Sequence, residues 1–473
     1  MRGVTMGKDM TSGNPLKLIL FFAFPMLIGN VFQQFYNMAD TLIVSQTLGM
    51  NALAAVGSTG SVNFLILGLA IGITAGLSVI TAQRFGRKDI DGLRRSLGSS
   101  LIIIIIASAI LTYFATTNTR EILELMQTPP EIIDQAYDYL VVIFGGIGVT
   151  VMFNYLSNIL RAIGDSRTPL IFLIIASILN VILDYTFILA FNMNVEGAGY
   201  ATIISQIVAT ILCLVYINRR VPILRIYKED WTLDWSEYKE HLRIGLPFGF
   251  QYSIIAFGTI AVQITLNRLG AVSVAAYTAS SKIDQLLTMP LQTIGVAIST
   301  YVAQNFGAGK FDRIKQGVRA IVKITLVYSV SIGLILWFFG RTLATMFVDG
   351  NNEAVLSLAE QFFRIQAPFY SFLALVFVLR LALQGLGNSF APTLAGAMEL
   401  VARIFGAIIL SKLFGFSGAI MSNPLAWISA VIILVPTYFS TERLITNEPS
   451  PLARRFAFGS KEAIRVVETQ EVK

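Results

Sequence analysis

Histidine and cysteine, the residues that zinc sites and disulfides require, are scarce in the sequence. One histidine, His241, and one cysteine, Cys213, occur among 473 residues. A single cysteine cannot form a disulfide within the chain, and a single histidine excludes the HExxH and multi-histidine patterns of zinc sites. The closest approach to a phosphate-binding loop, GAGKF at 307–311, lacks the spacing and the hydroxyl residue of a Walker A motif. We therefore predict that the protein is not an enzyme and needs no cofactor.

Charged residues are also scarce. Only 13% of the residues are charged, whereas 55% are hydrophobic, which is too apolar for a soluble protein of this length. The first apolar run, from Leu16 to about Ile43, is too long for the core of a signal peptide and is interpreted as a retained helix. The sequence therefore predicts an integral membrane protein whose surroundings are the lipid bilayer.

Twelve apolar runs are long enough to cross that bilayer. A hydrocarbon core about 30 Å thick needs roughly 20 apolar residues per helix. The runs lie near residues 16–44, 52–82, 97–117, 132–160, 168–190, 197–218, 243–267, 274–304, 317–340, 354–384, 391–411 and 417–440. We predict an all-α polytopic protein with twelve transmembrane helices.

An internal repeat divides these helices into two sets of six. LGMNALAAV (48–56) resembles LGAVSVAAY (269–277), AQRFGRKD (82–89) resembles AQNFGAGK (303–310), and LRAIGDSRTP (160–169) resembles LQGLGNSFAP (383–392). Six helices, an even number, separate the copies, so the sequence predicts two parallel six-helix lobes. The predicted organisation is an N-terminal segment at 1–14, a first lobe at 15–218, a charged linker at 219–241, a second lobe at 242–440 and a tail at 441–473.

Lysine and arginine residues fall mainly in the N-terminal segment, in alternate loops, in the linker and in the tail. Because basic residues in short loops stay on the cytoplasmic side, both termini are predicted to be cytoplasmic. The net charge of +7 is explained by this bias, so no nucleic acid partner is expected. The predicted location is the plasma membrane, as a multi-pass monomer.

The first span carries a polar face at positions i, i+3, i+4 and i+7, formed by Gln33, Tyr36, Asn37 and Asp40. At about 1.5 Å per residue, Asp40 is expected in the outer half of the bilayer, allowing for tilt. The apolar sequence continues beyond it, so this carboxyl group lies within the span and not at its end.

Two further spans each carry a pair of polar residues spaced i, i+4, at a depth in the bilayer similar to that of Asp40. These pairs are Asn180 with Asp184, and Thr202 with Gln206. An isolated carboxylate in hydrocarbon costs several kcal/mol, so acids in a span are candidates for a functional site. Two buried carboxyl groups do not readily carry two charges, so the cluster could take up a proton, or it could hold Na⁺. The alternative is that each aspartate only hydrogen-bonds a neighbouring helix, with Asn37 or Asn180 as its partner.

Together these motifs resemble the multidrug and toxic compound extrusion (MATE) family, closest to its prokaryotic DinF-like branch. The resemblance rests on P-x14-D in PMLIGNVFQQFYNMAD, on LGMNALAAV, and on the paired AQ-x-FG and G-x-S-x2-P segments, over about residues 10–440. It implies a bacterial cation-coupled exporter with a cation site in the N-terminal lobe. By the resemblance, the site residues are Asp40, Asn180, Asp184 and Thr202.

The second lobe departs from the NorM-like branch, which carries carboxylates on helices 7 and 10. Neither helix has an acid at the corresponding place in this sequence. By the repeat, Asp40 corresponds to Ala261 or Val262, and Asp184 corresponds to Gly406 or Ala407. Coupling through the second lobe in that style is not expected.

Charges of another kind occur in the second lobe. Glu399 and Arg403 are spaced as an i, i+4 ion pair, Lys282 and Asp284 lie close in sequence, and Arg380 could snorkel from the inner end of its helix. They are either structural ion pairs, or Asp284 or Glu399 attracts cationic drugs. The candidate lining of a substrate cavity is Gln33, Gln206, Lys282, Asp284, Glu399 and Arg403.

These features predict a secondary transporter that exports lipophilic organic cations and drugs by alternating access, in exchange for H⁺ or Na⁺. No metal other than such a Na⁺ ion is expected. The alternative is a flippase for lipid-linked oligosaccharide or peptidoglycan precursors from the wider superfamily. That function favours a basic cavity, whereas Arg403 and Lys282 are expected to face nearby acids, so the exporter is preferred.

Overall fold

The computed structural model describes residues 9–126, 128–231, 234–347 and 352–446, and no β-strand occurs among them. Most of the predicted N-terminal segment and tail lies outside these ranges. The α-helices are α1 Pro15–Leu48, α2 Met50–Ser58, α3 Gly60–Arg87, α4 Ile90–Thr117, α5 Thr119–Leu125, α6 Ile133–Gly145, α7 Ile147–Ala162, α8 Arg167–Tyr185, α9 Val195–Arg220, α10 Trp235–Leu269, α11 Ala271–Gly307, α12 Phe311–Ala344, α13 Glu353–Gln366, α14 Tyr370–Gly385, α15 Phe390–Phe405, α16 Ser411–Phe414 and α17 Phe416–Ile445. Short π-helical turns, Thr186–Ala190 and Gly406–Leu410, follow α8 and α15, and 3₁₀ turns occupy Pro222–Leu224, Lys228–Asp230 and Ala367–Phe369.

The apolar helices match the predicted spans one for one. Eleven of the described segments are long and apolar enough to cross a membrane, and a twelfth is formed if α6 and α7 count as one span bent by 49°. The bend falls at Gly145 and Gly146, which interrupt an otherwise apolar run. Within the described ranges, the fourth predicted helix is the one that is broken in this way.

Two compact units account for the described residues. The first contains Asp9 and residues 21–249, and the second contains Met10–Leu20 and residues 250–446. The division therefore falls inside α1 and α10 and not within the linker that the sequence predicts. The lobe bounds at 15–218 and 242–440 stay predictions.

In the second unit, side chains at the end of α11 and around the start of α12 hydrogen-bond the backbone of the residues that precede α1. The Met10 amide donates to Oε1 of Gln304 at 2.9 Å, and Nζ of Lys310 donates to the Thr11 carbonyl at 2.8 Å. Nη1 of Arg313 also donates to the Gly13 carbonyl at 2.9 Å. These contacts explain why the first residues of α1 belong to the second unit.

In the first unit, an ionic and polar network holds the start of α10. Nη2 of Arg84 lies 2.8 Å from Oε2 of Glu237 and 3.0 Å from Oε2 of Glu240. His241 is fully buried, with Nε2 at 2.8 Å from Oγ of Ser96 and Nδ1 at 2.7 Å from the Glu237 carbonyl. His241 therefore has a structural role, and it lies inside a helix although the sequence places it in the charged linker.

The predicted repeat is also present in the backbone. Positions with a left-handed conformation recur in the two units as four pairs: Gly49 and Gly270, Lys88 and Gly309, Gly164 and Gly387, Asn192 and Gly415. Such conformations favour glycine because it lacks a Cβ. The π-helical turn after α8 likewise recurs after α15. The two units therefore share turns as well as sequence motifs.

A close helix contact in the first unit gives a test of packing. A Cβ on Gly76 of α3 would lie 2.8 Å from Cα of Gly245 and 3.1 Å from the Ile244 carbonyl oxygen, and backbone atoms cannot move aside easily. We expect Gly76→Ala to lower the free energy of unfolding by about 1–3 kcal/mol. Gly57→Ala is the control, because its Cβ would meet no atom within 4 Å. Equal thermal stability of the two purified variants would contradict this packing role.

Candidate functional site

The first unit brings polar side chains of α1, α8 and α9 together. Asn180 and Asp184 lie one turn apart on α8 and are fully buried. α8 packs against α9, and α1 approaches α8 at Gly29, where a Cβ would lie 3.3 Å from Cδ1 of Leu170. This packing places Asp40 of α1 beside Asp184.

The carboxyl groups of Asp40 and Asp184 lie within hydrogen-bonding reach of each other. Neither oxygen of Asp184 has another hydrogen-bond partner among the described residues, and the same holds for Oδ1 of Asp40. Because ionised carboxylates only accept hydrogen bonds, two of them stay in contact only when a proton or another cation lies between them. The pair is therefore suited to binding one small monovalent cation.

Thr202 of α9 joins the other two helices of the site. Its Oγ1 lies 3.2 Å from the Tyr36 hydroxyl and accepts a hydrogen bond of 3.3 Å from Nδ2 of Asn180. The amide oxygen of Asn180 is buried and has no hydrogen-bond partner among the described residues. It is a further neutral oxygen beside the carboxyl pair.

A π-helical turn, Thr186–Ala190, begins two residues after Asp184. Turns of this kind insert one extra residue into a helix, and they occur frequently at functional sites. In this helix the turn separates the regular α-helical register of Asn180 and Asp184 from the C-terminal end of the span.

Tyr139 is a member of the cluster that the sequence does not reveal. It lies on α6, is 8% exposed, and is close enough to Asp40, Asp184 and Tyr36 for electrostatic interaction. Nothing in the local run IDQAYDYLVVIFG distinguishes Tyr139 from the nearby Tyr137. Only the packing of α6 against α9 selects it.

Other residues predicted for the first lobe lie apart from the pair. The side chains of Gln33 and Asn37 are exposed, so only Tyr36 and Asp40 of the predicted polar face reach the cluster. Gln206 accepts a hydrogen bond of 2.5 Å from Thr150 of α7. Their roles in cation coupling or in a substrate cavity stay predictions.

In the second unit, the expected pairing of Glu399 with Arg403 is wrong. Oε1 of Glu399 instead lies 2.6 Å from Nη2 of Arg380, and both side chains are almost completely buried. Arg380 therefore does not snorkel, because α14 and α15 pack so that it meets a carboxylate in the interior. Asp284 accepts a hydrogen bond from the Tyr370 hydroxyl, while Lys282 is exposed.

Among the described residues, no group of three or more histidine, cysteine, aspartate or glutamate side chains could hold a metal ion. The site therefore consists of one carboxyl pair with neutral oxygens, within a bundle of apolar helices. This arrangement defines a class: polytopic membrane proteins with a cluster of polar and acidic side chains inside the span.

The MatE family model matches residues 25–186 and again residues 247–409, so it matches once in each half of the sequence. The chain therefore belongs to the MatE family, and the two matches confirm the internal repeat. Proteins of this family are secondary transporters, not enzymes, and need no cofactor, which confirms the prediction that this chain is not an enzyme.

Curated relatives and solved structures agree with that assignment. The chain is 30% identical to the probable multidrug resistance protein YpnP of Bacillus subtilis, over 78% of this chain and 82% of the relative. It is 29% identical to the probable multidrug resistance protein NorM of Thermotoga maritima, over 85% and 88%. A crystal structure of MATE in the bent conformation covers 99% of this chain and all of that chain, with a TM-score of 0.85 and 22% identity. The twelve-helix fold is thereby confirmed.

Proposed function

We propose that this protein exports lipophilic organic cations and drugs across the plasma membrane in exchange for H⁺ or Na⁺, by alternating access. The multidrug resistance names of its relatives support the substrate class. The observation that supports the coupling is the proximity of Asp40 and Asp184. Oδ1 of Asp40 and both carboxyl oxygens of Asp184 are buried and have no other hydrogen-bond partner among the described residues. The family match favours export of drugs over the flippase alternative.

The coupling would arise from the charge of the pair. Without a cation, two carboxylates at this distance repel each other in a medium of low dielectric constant, and α1 separates from α8. When a cation arrives from outside, the carboxyl groups come together and Thr202 connects both helices to α9. Release of the cation to the cytoplasm would complete the cycle.

The proposal includes a topology. Both termini and the linker at 219–241 lie in the cytoplasm, and the monomer is the transporting unit. The distribution of lysine and arginine supports this orientation.

Dye efflux from proteoliposomes tests the proposal. We expect a lipophilic cationic dye to leave the vesicles when a pH gradient alone is applied across the membrane, and to leave several-fold more slowly without a gradient. A Na⁺ gradient at equal pH on both sides is the second arm. Efflux that responds to neither gradient would contradict cation coupling, and a response to Na⁺ alone would identify Na⁺ as the coupling ion.

A further inference from the structure

Among the described residues, Arg403 lies inside a span of the second unit without a counterion. Glu399 pairs with Arg380, and Asp284 accepts a hydrogen bond from Tyr370. Nη1 of Arg403 is buried and has no hydrogen-bond partner among the described residues. The Tyr370 hydroxyl is neutral, so Asp284 also has no cationic partner among the described residues, and this part of the second unit holds one unpaired charge of each sign.

Arg403 cannot reach the edge of the membrane to escape this environment. Its span runs from Phe390 to Phe414, so Arg403 lies close to the middle of the helix. At about 1.5 Å per residue, the guanidinium starts roughly 16–20 Å from either end of the helix. A lone arginine at the centre of a span costs at least about 2.5 kcal/mol, and such residues usually mark a functional site.

The repeat shows what Arg403 replaces. The left-handed turns before and after its helix, Gly387 and Gly415, correspond to Gly164 and Asn192 of the first unit. Counting from either turn places Arg403 at the position of Asn180. The acids of the first unit have no counterpart, because neither position that could correspond to Asp40, and neither that could correspond to Asp184, carries an acid. The second unit therefore holds a fixed positive charge where the first unit has its carboxyl pair.

The surrounding residues leave room for this charge. A Cβ on Gly258 of α10 would lie 2.9 Å from Cδ of Arg403 and 3.3 Å from its Nη1, so a larger residue at this position would force the Arg403 side chain to shift. The Tyr277 hydroxyl of α11 is close enough to both Arg403 and Asp284 for electrostatic interaction, and it hydrogen-bonds Ser281. Arg403 is half-buried, so part of its side chain stays accessible.

We propose that Arg403, with the Tyr277 hydroxyl, forms a binding site for an oxyanion, either a carboxylate or a phosphate group. A planar guanidinium beside a hydroxyl group offers several donors for such a group. This inference rests on the proposed export function and narrows its substrate class. Among lipophilic cations, the preferred substrates are zwitterions that also carry an acidic group. A phospholipid headgroup offers the same phosphate chemistry and is the second source of the ligand.

Equilibrium binding of two rhodamine dyes tests this site. The dyes differ only in whether the benzoic acid carboxyl group is free or methyl-esterified, and binding to the full-length protein in maltoside detergent is followed by fluorescence anisotropy. We expect Arg403→Gln to raise the Kd of the free acid about tenfold or more and to leave the Kd of the ester unchanged. Arg403→Lys should recover part of the loss. Arg120→Gln, which removes an exposed arginine of the first unit, is the control.

A second variant distinguishes a specific loss of the site from misfolding of the protein. Gly258→Ala keeps the charge but displaces the guanidinium, and it should weaken binding of the free acid only. Competition by added phosphatidylglycerol in the wild type, but not in Arg403→Gln, would identify a lipid phosphate as a ligand. Lack of competition would identify the carboxylate of the substrate.

Equal effects of Arg403→Gln on both dyes, or no effect on either, would overturn the oxyanion site. No ion gradient is present in this assay. Failure of gradient-driven efflux would therefore contradict the proposed function and leave the binding result intact.

Discussion

The Asp40→Asn protein is expected to insert and fold as the wild type does but to lose gradient-driven efflux of a lipophilic cationic dye. The amide keeps the shape of the side chain and its ability to accept a hydrogen bond, but it can neither release a proton nor attract a cation. Since charge-assisted interactions contribute about 1.5–3 kcal/mol, we expect the initial rate under a pH gradient to fall about tenfold or more. The measurement is dye efflux from proteoliposomes at matched protein content.

Asp284→Asn provides the matched control. It makes the same chemical change at a buried acid of the second unit, where the Tyr370 hydroxyl donates to the carboxylate. An asparagine oxygen can accept that hydrogen bond, so this variant should keep the wild-type ratio of efflux rates with and without the gradient, whatever its effect on dye binding. If Asp40→Asn pumps at the wild-type rate, or if both variants lose coupling equally, the carboxyl pair of the first unit is not the coupling site.

The residues of the pair could be predicted because a carboxylate is conspicuous in an apolar helix. Asp40 and Asp184 are recognised by the cost of burying a charge, and Asn180 by its helical spacing from Asp184. The twelve apolar runs are recognised in the same way, because the thickness of the bilayer fixes their length. These predictions depend only on two facts: the spans are surrounded by lipid and not by water, and the residues of an α-helix recur on one face with a fixed period.

Contacts among helices could not be predicted in the same way. Helical spacing shows which residues share a face, but it does not show which neighbour that face meets. Glu399 therefore pairs with Arg380 of the preceding helix, although Arg403 stands at the favourable i, i+4 distance. The place of Tyr139 in the cluster cannot be predicted from the sequence for the same reason, since its neighbours Asp40 and Asp184 lie on other helices.

The Arg380–Glu399 pair leads to the largest expected change in stability. Its side chains are 7% and 3% exposed and lie 2.6 Å apart at their closest nitrogen and oxygen atoms. Arg380→Met leaves the Glu399 carboxylate buried without a counterion, so we expect it to lower the free energy of unfolding by about 3–5 kcal/mol. Replacing both residues, as in Arg380→Met with Glu399→Leu, should restore most of this stability, because no unpaired charge remains.

A second ion pair of the same unit has the same nitrogen–oxygen distance but is more exposed. Comparing the two pairs therefore tests the effect of burial at a constant distance. Arg364 and Glu360 also lie 2.6 Å apart, but their side chains are 57% and 29% exposed. Arg364→Met should cost only about 0–1 kcal/mol, because solvent screens the remaining Glu360 charge and Arg341 still lies 3.5 Å from that carboxylate. Thermal unfolding of the purified variants gives the comparison. If both single variants lower Tm equally, or if the double variant is no more stable than Arg380→Met alone, burial of an unpaired charge does not explain why this pair is present.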